Sequence, residues 1–230
     1  MQGMRAWIVA AVLCAVIPSL ALGDPYADQG WVLKRSGDIT IYNRERAGSN
    51  VKELLMIFHV PQPPRVIFNV VRDLEHFKEF MPYTVVSEVL KRENEGDREI
   101  VYFFTILDLP LVKNRYYTIK LTNEADPDGK KGAFRSAWVL SDDPKLDPKP
   151  SDPSLKGVVD PKYYDCVKTK ANQGYWLIEP SGSGSKVTYY VYTDPGGAVP
   201  AWIANKANSI AAPKLAKAVR ERAKLPQYAK

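Results

Sequence analysis

One helical segment closes a chain that otherwise reads almost entirely as β-strand, and that imbalance limits the folds open to it. The segment runs from Asp194 to about Lys224, DPGGAVPAWIANKANSIAAPKLAKAVRERAK. Gly196 and Gly197 allow a turn with positive φ at no steric cost. Pro200 suits a first helical turn, where its missing N–H is no loss. Ala, Lys and Arg then favour helix. Val199, Trp202, Ile203, Ala207 and Ile210 recur at three- and four-residue spacing, which predicts one apolar face. Beyond Pro213 the apolar set of Leu215, Ala218 and Val219 turns to another side, predicting a kink or break at Ala212-Pro213. A helix carrying Trp and Ile needs a concave apolar surface, and a curved sheet supplies one.

The strands lie upstream. Residues 31–42 read as a first strand and 51–60 as a second, with Val51, Glu53, Leu55, Ile57 and His59 on one face and Leu54, Met56 and Phe58 on the other. Residues 64–80 read as helix, with a buried stripe through Val66, Phe68, Val70, Val71, Leu74 and Phe77. Strands follow at 83–91, 98–107, 114–122 and 133–140, the first two joined by a polar hairpin loop. Residues 141–163 are rich in Pro, Asp, Ser and Lys and predict a long surface excursion with little structure. A last hairpin pairs 174–179 with 186–193 across the Gly-Ser run 180–185, which reads as a flexible connection. Strands and helices segregate along the chain, so the class is α+β, with an antiparallel sheet curled around the terminal helix.

The first 23 residues read as a secretory signal. Arg5 provides the positive end, Ala6–Ile17 an apolar run too short to span a bilayer, and Ala21-Leu22-Gly23 the small residues of a cleavage site. The expectation is an exported chain, periplasmic or secreted, whose folded domain covers 24–230. Cys166 is then the single remaining cysteine, so no intramolecular disulfide forms. A chain of this length buries roughly 70% of its unfolded surface and needs no such staple. The net charge is +6. The basic residues Lys206, Lys214, Lys217, Arg220, Arg222 and Lys224 crowd the C-terminal helix. They suit a helix C-terminus, or transient contact with anionic lipid headgroups. With no nucleic-acid motif present, a nucleic-acid partner is not expected.

Catalytic signatures are absent. The chain contains no HExxH, GxSxG, GxGxxG or CxxC pattern, so neither a metal site nor a cofactor is implied. Within 114–122 one strand face carries Arg115, Tyr117, Ile119 and Leu121. A guanidinium on an apolar face needs a carboxylate partner, with Glu88 and Glu53 as candidates, or a ligand's polar head; otherwise it snorkels at the rim. Tyr102, Phe103, Phe104, Tyr116, Tyr117, Trp138, Tyr175, Trp176, Tyr189, Tyr190 and Tyr192 supply aromatic surface that either fills a core or lines a cavity. Periodicity alone does not choose between the two.

Three stretches resemble the StAR-related lipid-transfer (START) family: Gly174-Tyr-Trp-Leu-Ile-Glu-Pro180, Val187-Thr-Tyr-Tyr-Val-Tyr192, and Asp194-Pro-Gly-Gly-x-x-Pro200-x-Trp202-Ile-x-Asn205. Weaker echoes lie at Trp31-x-Leu33, Ile39-x-Ile41-Tyr-x-Arg44, Ile67-Phe68 and Lys113-Asn-Arg115-Tyr-Tyr. The resemblance covers about residues 30–224. It implies a helix-grip fold with a lipid tunnel between sheet and C-terminal helix, and non-enzymatic binding of one lipid (sterol-like, phospholipid or otherwise apolar) by a monomer. It places Arg115 at the ligand's polar end. Tyr102, Phe104, Tyr117, Trp138 and Tyr190 would line the tunnel, under a lid bearing Val199, Trp202, Ile203 and Ile210. The family often has Arg-Asp where this chain has Arg115-Tyr116, and the 141–163 insert has no counterpart. The competing reading is a cyclase or hydrolase of the same superfamily, with His59, Arg115 and Glu88 converging on an apolar substrate.

Overall fold

The computed structural model describes residues 26–110 and 112–229. The expected signal segment, 1–23, lies outside them. Strands β1 (Val32–Arg35), β2 (Ile39–Arg46) and β3 (Ser49–Val60) open the domain. Helices α1 (Pro64–Arg72) and α2 (Phe77–Phe80) follow, joined by a 3-10 turn at Leu74–His76. Then come β4 (Thr84–Glu95), β5 (Arg98–Leu107), β6 (Arg115–Ala125), β7 (Phe134–Leu140), the short β8 (Val167–Lys168), β9 (Ala171–Ser181), β10 (Gly184–Asp194) and α3 (Ala201–Arg222). The sheet order is β1-β2-β3-β10-β9-β7-β6-β5-β4, antiparallel throughout, with β8 added in parallel to β6. The α+β helix-grip architecture expected from the strand pattern is the one observed.

Alternation decides which face is which. Leu54, Met56 and Phe58 of β3, Val187 of β10, Trp176 and Ile178 of β9, Trp138 of β7 and Val101 and Phe103 of β5 join one buried cluster with Ala212, Ala216 and Val219 of α3. This is the concave, helix-covered face. Val70 and Val71 of α1 belong to the same cluster, and Phe68 stacks on Phe134 at 4.7 Å. The convex face is covered in two places. Near the N-terminus, Trp31 and Tyr42 pack on Leu55, with Tyr190 edge-on to Trp31. At the other end, Leu155 and Val159 plug a patch formed by Val86, Phe104, Ile106 and Tyr116.

That second plug corrects the expectation for 141–163. The segment contains three 3-10 turns starting at Pro144, Pro153 and Pro161. Each is capped by the preceding Asp (Asp143, Asp152, Asp160), whose side chain accepts from the backbone N–H two residues on. Asp-Pro pairs fix these turns locally, and the two apolar residues anchor them. Two further expectations shift. Residues 31–42 form two strands, turning at Gly37 with φ 122°. The Gly-Ser run is no flexible loop: β9 continues through Pro180 to Ser181 and β10 starts at Gly184, leaving a tight two-residue hairpin.

Candidate functional site

The floor beneath α3 is aromatic. Trp176 and Tyr189 rings lie 4.4 Å apart and Trp138 and Tyr189 rings 5.9 Å apart. Gly174 makes this stack possible: a Cβ there would stand 2.5 Å from the Trp138 ring. The Trp138 indole N–H donates to Asn172 Oδ1 at 2.9 Å, and Tyr117 also bonds the Asn172 side chain. Loss of solvation around its hydroxyl pushes Tyr117 up to about 12 and raises Tyr189 as well. Both are neutral hydrogen-bonding groups at any physiological pH.

Those rings stand high, so α3 approaches only through small side chains. Ala204, Ala212, Ala216 and Val219 are its buried residues. This overturns the expected phase of the helix. Trp202 and Ile210, predicted to be buried, are 65% and 48% exposed, and Val199 and Ile203 are only half-buried. An indole on the inner face would collide with the aromatic floor, so the bulky residues turn outward. The helix also runs through Pro213 without a break, so of the predicted kink or break the break is corrected; the proline removes one N–H from the ladder.

Between floor and helix lies a cavity of about 50 Å³, lined by Leu54, Tyr189 and Val191 from the sheet and Asn208, Ala212 and Leu215 from α3. It has room for a water or two. The large tunnel expected from the sequence is closed here, with Trp138, Trp176 and Tyr189 occupying its floor. A wider depression of about 460 Å³ beside α1 is open to solvent and lined by charged residues, among them the ion pairs Arg72–Glu99 and Arg92–Glu75.

The sequence-derived candidates separate accordingly. Tyr117 and Trp138 are on the concave floor. Tyr102 and Phe104 are on the convex face, Phe104 beneath the 141–163 segment. Tyr190 is convex too, donating to Glu53 at 2.8 Å. Glu53 is spent on Arg44 (2.6 Å) and Arg46 (3.0 Å) and is no partner of Arg115. Arg115, 3% exposed, contacts neither carboxylate candidate. Its guanidinium donates to the carbonyls of Pro195 (2.8 Å), Gly196 (3.2 Å) and Lys113. It therefore clamps the Asp194–Gly197 turn that feeds α3, where Gly196 and Gly197 have φ of 67° and 66°. Burial depresses the guanidinium's pKa. The sequence could not show this role because all three acceptors are main-chain atoms. His59 is exposed at the end of β3. None of His59, Arg115 and Glu88 lines the cavity.

Sequence reasoning missed Asn172 and Asn208, uncharged polar groups at the floor and wall that leave no mark in the sequence. Tyr189 belongs to the aromatic supply of the strands, and its strand phase, shared with Val187 and Val191, puts it on the floor.

Helix α3 is tethered unequally. At its C-terminal end Arg220 pairs with Asp38 (2.5 Å) and donates to the His59 carbonyl, and Arg222 pairs with Glu79 (2.8 Å) and donates to the Tyr228 hydroxyl. Tyr228 in turn donates to Asp73. At its N-terminal end the polar clip is Asn205, which accepts from Lys52 N–H (2.8 Å) and donates to the Asn50 carbonyl (3.2 Å).

A solved structure of a STAR-related lipid transfer protein from Xanthomonas axonopodis superposes with a TM-score of 0.67 at 25% identity, covering 85% of this chain and 99% of that one. This chain has the helix-grip fold of that lipid transfer protein. A profile for the family described as polyketide cyclase / dehydrase and lipid transport matches residues 60–136. The chain is 27% identical to bovine (Bos taurus) phosphatidylcholine transfer protein over 154 residues, 67% of this chain and 64% of that protein, so the match spans less than two thirds of that relative. Human StAR-related lipid transfer protein 5 shares the fold, with a TM-score of 0.68 at 14% identity over 87% of this chain and 88% of that one.

Proposed function

We propose that this protein binds one lipid between α3 and the concave sheet and carries it between membranes, with no covalent step. The observation that carries the reading is the orientation of α3 on a START-type sheet. Its inner face is small and easily lifted, while Trp202 and Ile210 point into solvent among Lys206, Lys214 and Lys217. Exposed Trp and Ile with flanking lysines suit the headgroup zone of an anionic bilayer. Lifting the N-terminal half of α3 opens the space above the aromatic floor, while the Arg220 and Arg222 ion pairs hold the other end. A lipid burying a few hundred Å² of apolar surface there gains several kcal/mol at about 25 cal/mol per Å².

The lipid-transfer relatives support the non-enzymatic reading, and no acid or base among the described residues lines the cavity. Among the described residues no helix is long and apolar enough to cross a membrane. We place the protein outside the cytoplasm as a monomer, with residues 1–23 removed as a signal; N-terminal sequencing of protein from its own host checks the cleavage. The functional test is movement of a fluorescent lipid between donor and acceptor vesicles containing phosphatidylglycerol. The full chain accelerates transfer, and the double variant Trp202→Ser/Ile210→Ser loses most of that rate while still folding. Transfer no faster than the spontaneous rate contradicts the proposal.

A further inference from the structure

We infer that the ligand is a neutral lipid bearing a hydroxyl or carbonyl group, and not a phospholipid. This rests on the lipid-binding reading above and narrows it.

The cavity wall carries hydrogen-bonding capacity but no charge. Tyr189 and Asn208 both line it, and neither side chain has a hydrogen-bond partner among the described residues. Asn43, directly opposite Leu54 in the β2–β3 register, has its buried side-chain oxygen unpaired. Ser136, fully buried on the floor strand β7, leaves its hydroxyl unpaired as well. Asn43 and Ser136 lie on the sheet beyond the lining of the cavity, whereas Tyr189 and Asn208 are half-buried at its wall; an orphaned polar group in a low-dielectric interior is costly, and a ligand oxygen that reaches it recovers that cost.

A phosphodiester makes a different demand. Its anionic oxygens need a cation or several charge-assisted donors once withdrawn from water. Among the described residues the concave sheet face carries Arg115, buried, and Glu99, part-buried, and both are committed. Arg115 gives its donors to Pro195, Gly196 and Lys113. Glu99 lies at the α1 end, held by Arg72, Arg92 and Asn123. Binding a phosphate at Arg115 would strip the turn that feeds α3 of its clamp. Binding it at Tyr189 and Asn208 would bury an anion against neutral groups. A sterol-like alcohol or a diacylglycerol meets the same wall with one or two oxygens and no charge, and its flat or branched hydrocarbon lies against the Trp138–Tyr189–Trp176 stack.

The test is a binding titration of the full chain with three probes: an intrinsically fluorescent sterol, an NBD-labelled diacylglycerol and an NBD-labelled phosphatidylcholine. Saturable binding of a neutral probe at least tenfold tighter than the phosphatidylcholine is expected. Tyr189→Phe and Asn208→Leu, each removing one hydrogen bond, should weaken the neutral probe about three- to tenfold. Lys162→Ala, on the exposed side of the 141–163 segment, should leave the neutral probe's affinity within about twofold. Equal or tighter phosphatidylcholine binding overturns the neutral-lipid inference while leaving lipid binding intact. Neutral binding unchanged in both wall variants, when each melts within a few degrees of the parent, overturns the assignment to this wall. Failure of all three probes sinks the lipid-binding reading itself, and this inference with it.

Discussion

Replacing Arg115 by Met should loosen the turn that feeds α3 and destabilise the whole domain. The side chain is 3% exposed and its donors reach three backbone carbonyls, on Pro195, Gly196 and Lys113. Met fills a similar volume but donates nothing, so three acceptors lose a charge-assisted partner. Leaving a buried acceptor unpaired costs about 1–3 kcal/mol. Three of them, less the desolvation no longer spent on the guanidinium, leave a net loss of about 3 kcal/mol. For a domain of this size that lowers Tm by about 6–12 °C. Calorimetry reads the total, and amide hydrogen exchange reads its location: protection should fall first around Gly196 and the first turns of α3. Arg115→Lys keeps the charge but not the planar fork, so it should recover only part of the loss. A Met variant melting within about a degree of the parent, with α3 protection unchanged, would refute the clamp.

Gly174→Ala should cost several kcal/mol, on the order of an overpacked core site, because its Cβ meets the Trp138 ring at 2.5 Å; denaturant titration checks it, and near-ultraviolet circular dichroism should show the displaced indole. His76 bonds Asp73 at 2.6 Å, which raises its pKa above the usual 6.5. Its stabilisation is therefore complete below that ordinary value and lost as pH rises through the raised one, so Tm should fall slightly on going from about pH 6 to 8, and His76→Gln should remove that slope. Asn205→Ala removes the polar clip on the N-terminal half of α3; vesicle transfer should accelerate while Tm drops by a few degrees, and slower transfer would argue against opening at that end.

Much of the architecture was legible because period-two strands and a single terminal helix leave few packings. Leu54, Met56 and Phe58 fall on the helix-covered face, and Tyr117 and Trp138 fall there too, as alternation required. What escaped depended on heights and main-chain partners. The phase of α3 was misread because Trp202 and Ile210 are its most apolar residues, yet beneath the helix the Trp138, Tyr189 and Trp176 rings are met by Ala212, Ala216, Val219 and Leu215 and by no aromatic side chain of α3. Alternation puts Arg115 with Tyr117, Ile119 and Leu121 on the apolar face of its strand, but carbonyl acceptors leave no mark in a sequence. Tyr102, Phe104 and Tyr190 shared the aromatic character of the floor residues and not their parity: on the far side the 141–163 segment covers Phe104, the N-terminal segment packs on Tyr190, and Lys91 and Lys120 lie over Tyr102. The open volume was the least readable quantity, since side-chain rotamers decide whether the space under a helix is filled.

Native mass spectrometry of the protein gently purified from its own host tests the central claim most directly. A single lipid bound at one per chain, released and identified on denaturation, is the predicted result. A protein that is empty as isolated, and stays empty after incubation with the extracted lipids of its host, would contradict it.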